Sequence, residues 1–554
     1  MRLSGRPGAR FVLPTLKCSI KIRMLSPQSS MEVFTDKPKV TLRNYFQRPL
    51  DSSVAAARTC YSPRVIGAEE ISEEQRTNIS QLTFDAGHHT VYQHPHFEFG
   101  LENISRQFVW NFLHSYPFYN SEQSSQRFVR LDEIRAFVPP LDESNRQIYY
   151  QAVAQAWNAY RELTAILRKD TFEILGEVFK LHDTSSDKKK KKVKRESEKK
   201  AIEVARYVIP IAAFTSMVHT ISGITLHRLK RLMHSGDTPF ETTQIISEMV
   251  ECVRQVDPDF FEKIGDPPID AQQIPEFNFR SLNLPAGPMG FARTPVAVET
   301  AMKEFDADLG ERISKLVDHT LDAEKTVANA LRYAMGISRR EMNDAMAIDA
   351  MLNPAKNRYR LDKLNLTFQV PLMKPLNHAA YTFIKKISHT ADSQDQRHRM
   401  VPASRPMMMF TDTRSSDYLT PRLIAANPEA RAVFEQTMEM LWSAKNKLLD
   451  NGVPTEFAMY LLPNAKALRF SESGSLLYLL HKWTMRTCFN AQDEIYEASM
   501  QELEQVRKVH PMLAKYIGPP CVVRVGQILP ICSEGAHFCG VKVWEKFPNV
   551  QRRL

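Results

Sequence analysis

Arg397, His398 and Arg399 stand in a row inside the stretch SQDQRHRMVPASRP (Ser393–Pro406). Two guanidiniums flanking an imidazole repel one another unless an anion lies among them. Planar guanidiniums grip phosphate oxygens in pairs and keep their charge at any physiological pH. In an extended segment, Arg397 and Arg399 would project to one side and His398 to the other. Ser125 and Arg127 repeat the two-residue spacing in SEQSSQRFVR (Ser121–Arg130). His481 and Arg486 are five residues apart, about 140° around a helix, and share a face only if the helix ends between them. A plainer reading of the basic tripeptide also exists. It follows NHAAYTFIKKISHTADSQ (Asn377–Gln394), read as helical, and cations at a helix C-terminus complement its dipole.

One more chemistry-bearing group lies near the end of the chain. Cys521, Cys532, His537 and Cys539 form a Cys3His set, but the C-x10-C and H-x-C spacings match no common zinc finger. Reduced cysteines packing a small C-terminal hairpin are the alternative. Seven cysteines in 554 residues are too few for a disulfide scaffold, which points to a reducing compartment, here the cytoplasm.

The elements that must hold these residues are mostly helical. Arg146–Lys169, Glu241–Val256 and Glu429–Gly452 place apolar residues at i, i+3, i+4 spacing, and the last is closed by Gly452 with Pro454 beyond. HFEFGLE (His96–Glu102) and LNLTFQV (Leu364–Val370) alternate as strands do. No apolar run reaches the roughly 18–20 residues of a membrane-spanning helix.

The net charge of +10 resides in two pieces. Before Glu32, six basic residues stand without an acid; within Asp183–Lys200, nine basic residues face four acidic ones. The remainder is close to neutral, so nucleic acid is not an expected partner of the body. The first piece resembles an over-long gene start, with Met24 and Met31 as internal starts, more than an organelle transit peptide. The second reads as a solvated loop insertion.

The halves are diverged copies. ARYVIPIAAFTSMVHTISGITLHRLKRLM (Ala205–Met233) and AMYLLPNAKALRFSESGSLLYLLHKWTMR (Ala458–Arg486) align without a gap, with 23 residues from Pro210 to Met233 and from Pro463 to Arg486. The expected organisation is a basic extension (1–37), a first domain (38–265) with the lysine-rich insertion 183–200, a linker (266–290), a second domain (291–510) and a Cys-containing tail (511–554).

On these motifs the chain resembles the flavin-dependent thymidylate synthase family. AARTCYS (Ala56–Ser62), GHHTVYQHPHFEFGLENISRQF (Gly87–Phe108) and SEQSSQRFVRLDE (Ser121–Glu133) resemble its N-terminal region, and Arg397, His398 and Arg399 match its Arg-His-Arg motif. The resemblance implies an α+β fold, here two tandem domains, each a small antiparallel sheet with several long helices. It implies methylation of dUMP to dTMP with FAD as cofactor and NADPH and methylenetetrahydrofolate as co-substrates. By the same resemblance, Gln394, Arg397, Ser125, Arg127, Arg206 and Arg486 would bind dUMP. His94, Arg397, His398, Arg399 and His481 would hold the flavin, and Arg486 and Ser125 would act in the chemistry. The chemistry uses no cysteine nucleophile.

The retained motifs are complementary. The first half has Ser125, Arg127 and Arg206, but Ser115-Tyr116-Pro117 stand at the Arg-His-Arg position and Met233 at the late arginine. The second half has Arg397, His398, Arg399 and Arg486, but lacks Ser-x-Arg and has Met459 in place of Arg206. Where family members use Asn-x-Arg against the flavin, Ser475 and Leu477 stand in one half and Ser222 and Ile224 in the other. A site shared between halves follows, in a homodimer that mimics the family tetramer. A catalytically inactive homologue retaining nucleotide or flavin binding, or acting as a scaffold, is the alternative.

Overall fold

The computed structural model describes residues 33–116, 118–182, 184–278 and 295–554. Most of the basic extension, part of the linker, Pro117 and Asp183 therefore lie outside the described residues. The first half builds a four-stranded antiparallel sheet from β1 (Lys39–Tyr45), β2 (His96–Ser105), β3 (Tyr119–Gln123) and β4 (Phe214–Ser222), in the order β1-β2-β4-β3. Its site-positioning helices are α1 (Arg106–His114), α2 (Glu143–Val178), α3 (Asp187–Ala205), α4 (Gly223–Arg231) and α5 (Pro239–Arg254).

The second half repeats the plan. β5 (Ser314–His319), β6 (Ala380–Ser388), β7 (Ala403–Ser404) and β8 (Ala467–Ser475) pair in the order β5-β6-β8-β7; α6 (His389–Asp395) and α7 (Pro428–Asp450) lie between strands in the chain, and α8 (Leu476–Arg486) and α9 (Asp493–Val509) follow β8. The tandem α+β architecture expected from the sequence is present.

The three long helices expected from periodicity form. α2 is capped by the Asp142 side chain, which accepts from Asn145 N at 2.9 Å, and α7 by Asn427, which accepts from Ala430 N at 3.0 Å. Their apolar stripes, including Trp157 and Leu163 on α2 and Leu441 and Trp442 on α7, share one core. Each fully buried side chain of this size contributes about 1.5–3 kcal/mol. Each sheet also has its own core, around Phe97, Phe99 and Phe108 in one half and Tyr381, Phe383 and Trp483 in the other.

Three expectations are corrected. The lysine-rich insertion is a helix, α3, because Val193, Ser197 and Ala201 recur every fourth residue and are buried, while lysine is itself a good helix former. LNLTFQV is not a strand: Asn365 adopts φ 53° and Leu366–Phe368 make a single 3-10 turn. The strand is β6, within the stretch read as helical. Tyr381, Phe383, Lys385 and Ile387 all point inward, and Lys385 disguised the alternation. Burial of that lysine is compensated by ion pairs to Asp395, Glu472 and Glu502.

The halves meet at equivalent points. Pro210 and Pro463 form an antiparallel bridge, flanked by Ile211 N donating to Leu462 O (2.8 Å) and Asn464 N donating to Ile209 O (2.9 Å). Ser105 pairs with Phe214 as Ser388 pairs with Ala467. Both serines open a helix and bind a glutamate from a later one: Ser105 Oγ donates to Glu241 at 2.6 Å and Ser388 Oγ to Glu494 at 2.8 Å. Through these serines, Arg397-His398-Arg399 correspond to His114-Ser115-Tyr116, one residue earlier than the sequence alignment placed them.

Candidate functional site

The retained residues of the two halves converge where the halves meet. On the second half, α6 ends at Asp395 and the chain turns through Gln396 into Arg397–Arg399. Asp395 is clamped beneath this turn by Lys385 and Lys482, which also hold Glu472. Arg486, the last residue of α8, donates from Nε to His398 Nε2 (3.0 Å) and from Nη2 to Gln394 O (2.9 Å). α8 does not end between His481 and Arg486, as the sequence geometry required for them to share a face. Instead His398 reaches both, its ring 5.8 Å from that of His481. His481 is further held by Asn365, 3.2 Å away.

From the first half, Arg127 pairs with Glu203 on α3 and donates from Nη2 to Asn490 O (2.8 Å) of the second half. Ser125 Oγ accepts from Arg127 N at 3.3 Å. Arg206 follows α3, is buried, and donates to Glu203 O (3.1 Å) and to Gln492 Oε1 (3.5 Å). Gln492 Oε1 also accepts from Gln394 Nε2 at 2.9 Å, so one amide joins Arg206 to Gln394 across the halves.

The site is rich in positive charge and poor in counter-charge. Burial pushes Arg486 down to about 10, with Arg397 and Arg127 acting in the same direction and Asp395 opposing them. Burial, then the nearby Arg206 and Arg397, push Arg106 down to about 9. Burial lowers Arg206 to about 10 against the pull of Glu203. Cations that depress one another are relieved by an incoming anion. Burial and the Arg486 charge also hold His398 well below the ordinary histidine range, so it is neutral.

Arg397 is exposed, and among the described residues its guanidinium meets no carboxylate. Arg399 lies over the Tyr119 ring (4.8 Å) and 3.5 Å from Asn120 Oδ1, both of the first half. Two guanidiniums without carboxylate partners beside a neutral imidazole fit the phosphates of a dinucleotide cofactor. Elsewhere the fit is apolar: Leu477 and Ile224 are buried in the cores of their halves. His94 is exposed just before β2, and among the described residues no hydrogen bond or ring contact joins it to the cluster. The two-half register places His378 at the position of His94 in the second half.

Reading residue types missed Arg106, Gln492 and Glu203. Arg106 donates to Gln123 Oε1 (3.1 Å) and across the halves to Ser393 Oγ (2.9 Å). Its signal was available: an arginine on the first turn of an otherwise apolar helix opposes the dipole and needs another reason to be there. Glu203 sits one turn before Arg206. Gln492 aligns with Pro239 in the repeat and gave no signal.

The zinc set is not assembled. Cys521, Cys532 and Cys539 border one crevice with Cys488, but His537 does not, and among the described residues no three His, Cys, Asp or Glu side chains are arranged to hold a metal ion. Burial raises the Cys521 thiol to about 11. Short helical turns, not a hairpin, form the tail among the described residues. No described helix is long and apolar enough to cross a membrane.

The fold is that of a duplicated α+β protein, with an arginine-rich cluster where its two copies meet. A family model described as thymidylate synthase complementing protein matches residues 41–259 and 315–512, and the chain belongs to that family. It is similar to the flavin-dependent thymidylate synthase of Clostridium tetani, 30% identical over 235 residues, 41% of this chain and 86% of the relative. The flavin-dependent thymidylate synthase of Geobacter sulfurreducens is 32% identical over 232 residues, 41% of this chain and 92% of the relative.

Proposed function

We propose that the chain is a cytoplasmic flavin-dependent thymidylate synthase, methylating dUMP to dTMP with methylenetetrahydrofolate and NADPH at a site shared between its halves. The observation that carries this reading is complementary retention: Arg127 and Arg206 of one half bond to Asn490 and Gln492 of the other, and Gln492 links on to Gln394, which Arg486 holds beside His398. Two such chains, as a homodimer, would match the family tetramer.

In this reading Ser125, Arg127, Arg206 and Arg397 hold the nucleotide phosphate and sugar, and Gln394 orients the base. Arg486, half-buried and fixed by His398, faces the uracil ring and stabilises negative charge as it develops there, an oxyanion-hole type of effect. FAD would be held by Arg397 and Arg399 on its phosphates, with His398, His481 and His94 bordering it, and when bound it supplies the two-electron reduction. The chain's own contribution is position and electrostatics.

The inactive alternative draws support from one observation, the buried Leu477 and Ile224 where a polar flavin contact would sit. The two readings separate in the visible absorption spectrum of the protein with added FAD, before and after Arg397→Ala. Flavin bound by the wild type and lost by the variant supports the shared site, and dUMP-dependent NADPH oxidation is then the assay. No flavin bound at high FAD leaves the inactive reading.

A further inference from the structure

The two-half register generates a second, counterpart position that mirrors the arginine site. Residues 253 apart correspond, as Pro210 and Pro463 do. By that offset Arg206 falls on Met459, Arg486 on Met233, Glu203 on Glu456 and Asn490 on Asp237. On the sheets, Glu122 pairs with Val218 as Ser404 pairs with Ser471, which sets Ser125 on Met407 and Arg127 on Met409. Through the paired serines, Arg397 falls on His114 and Gln394 on Asn111.

Three of these counterparts are joined by hydrogen bonds. Met409 N donates to Asp237 Oδ1 (3.0 Å) and Asp237 N to Asn111 Oδ1 (3.2 Å), where the mirrored contact is Arg127 on Asn490 O. The chemistry is reversed. Four contacts that are Ser125, Arg127, Arg206 and Arg486 at one position are methionines at the other; Met459 and Met233 are buried and His114 is half-buried. Arg405, whose charge acts on His114, is spent on Asp392 by two hydrogen bonds of 2.7 and 2.8 Å. Asp237, Glu241 and Glu456 add carboxyls.

We propose that each chain holds one nucleotide-phosphate site, at the arginine cluster, and that its counterpart, packed with methionines and lined by carboxyls, takes no anion. A phosphate there would lose its hydration without a guanidinium to replace it. A homodimer would then carry two sites where four equivalent positions exist. The inference rests on the nucleotide reading of the arginine cluster given above.

Equilibrium dialysis of the full chain against labelled dUMP tests it. The expected result is one nucleotide per chain at saturation. Arg486→Met should weaken binding by about tenfold or more, and Met233→Leu, at the mirrored position, should leave affinity and stoichiometry unchanged. Thermal melts would show that both variants fold. Two nucleotides per chain, or one whose binding is lost in Met233→Leu and kept in Arg486→Met, overturns the single-site assignment. No nucleotide bound by the wild type overturns the nucleotide reading itself, an outcome distinct from two.

Discussion

Arg486 donates its Nε hydrogen to His398 Nε2 at 3.0 Å, which requires that nitrogen to be unprotonated. The imidazole is therefore an acceptor toward the guanidinium and fixes it in place. Burial first, then the charges of Arg486 and Lys482, keep His398 neutral well below the ordinary histidine range. Its NMR resonances should show no titration from pH 8 down to about pH 5. A transition near pH 6.5 assigned to His398 would contradict this geometry.

Arg127 and Glu203 form an ion pair whose carboxylate is buried. Glu203 is buried, which alone would raise it, yet the charges of Arg127 and Lys200 hold it down to about 2. Arg127→Met should destabilise the fold by about 3–5 kcal/mol near pH 7, because it leaves a buried carboxylate short of its main partner. Adding Glu203→Gln should recover much of that loss in urea unfolding, and additive effects of the two changes would show the pair to be uncoupled.

Glu456, the mirror of Glu203, pairs with no guanidinium among the described residues and is pushed up to about 7 by burial, against the bond it accepts from Phe240 N. Its folded pKa exceeds the unfolded value of 4.5, so the folded state keeps a proton that the unfolded state releases. Its contribution is fully present below about pH 4.5 and falls away as pH rises to about 7. Glu456→Gln should accordingly raise stability at pH 8 by about 1–3 kcal/mol more than at pH 5. Denaturation curves at the two pH values give the comparison.

The lysine-rich segment offers a direct contrast between faces of one helix. Val193 is fully buried against α2, while Lys191 and Lys194 are exposed. Val193→Asp should cost about 2–5 kcal/mol, and Lys191→Gln with Lys194→Gln should change stability by less than about 0.5 kcal/mol. A solvated loop would tolerate all three alike.

Much of this was legible beforehand, for identifiable reasons. Long helices such as α2 and α7 announce themselves because their apolar stripes run for many turns. The repeat was visible because β4 and β8 keep the same spacing from Pro210 and Pro463. β6 was hidden because its inward Lys385 is balanced by acids from three distant places, information no local window contains. The candidate site was legible as two incomplete sets of residues, one in each half. That Gln492 would join them, and that Arg106 would crowd the same space, depended on how the halves dock.

Residues beyond 512, where the family match ends, nevertheless fasten the loop that joins the two halves of the candidate site. Arg552 donates from Nη2 to Ala491 O (2.6 Å) and stacks against Tyr496, while Asn490 Nδ2 donates to His537 O (2.9 Å). Asn490 and Gln492 are the residues that meet Arg127, Arg206 and Gln394. A chain cut back to the shared domain would keep every inherited motif and lose the buckle that holds them in register, so the ancestry of the centre and its mechanical integrity reside in different parts of the polypeptide.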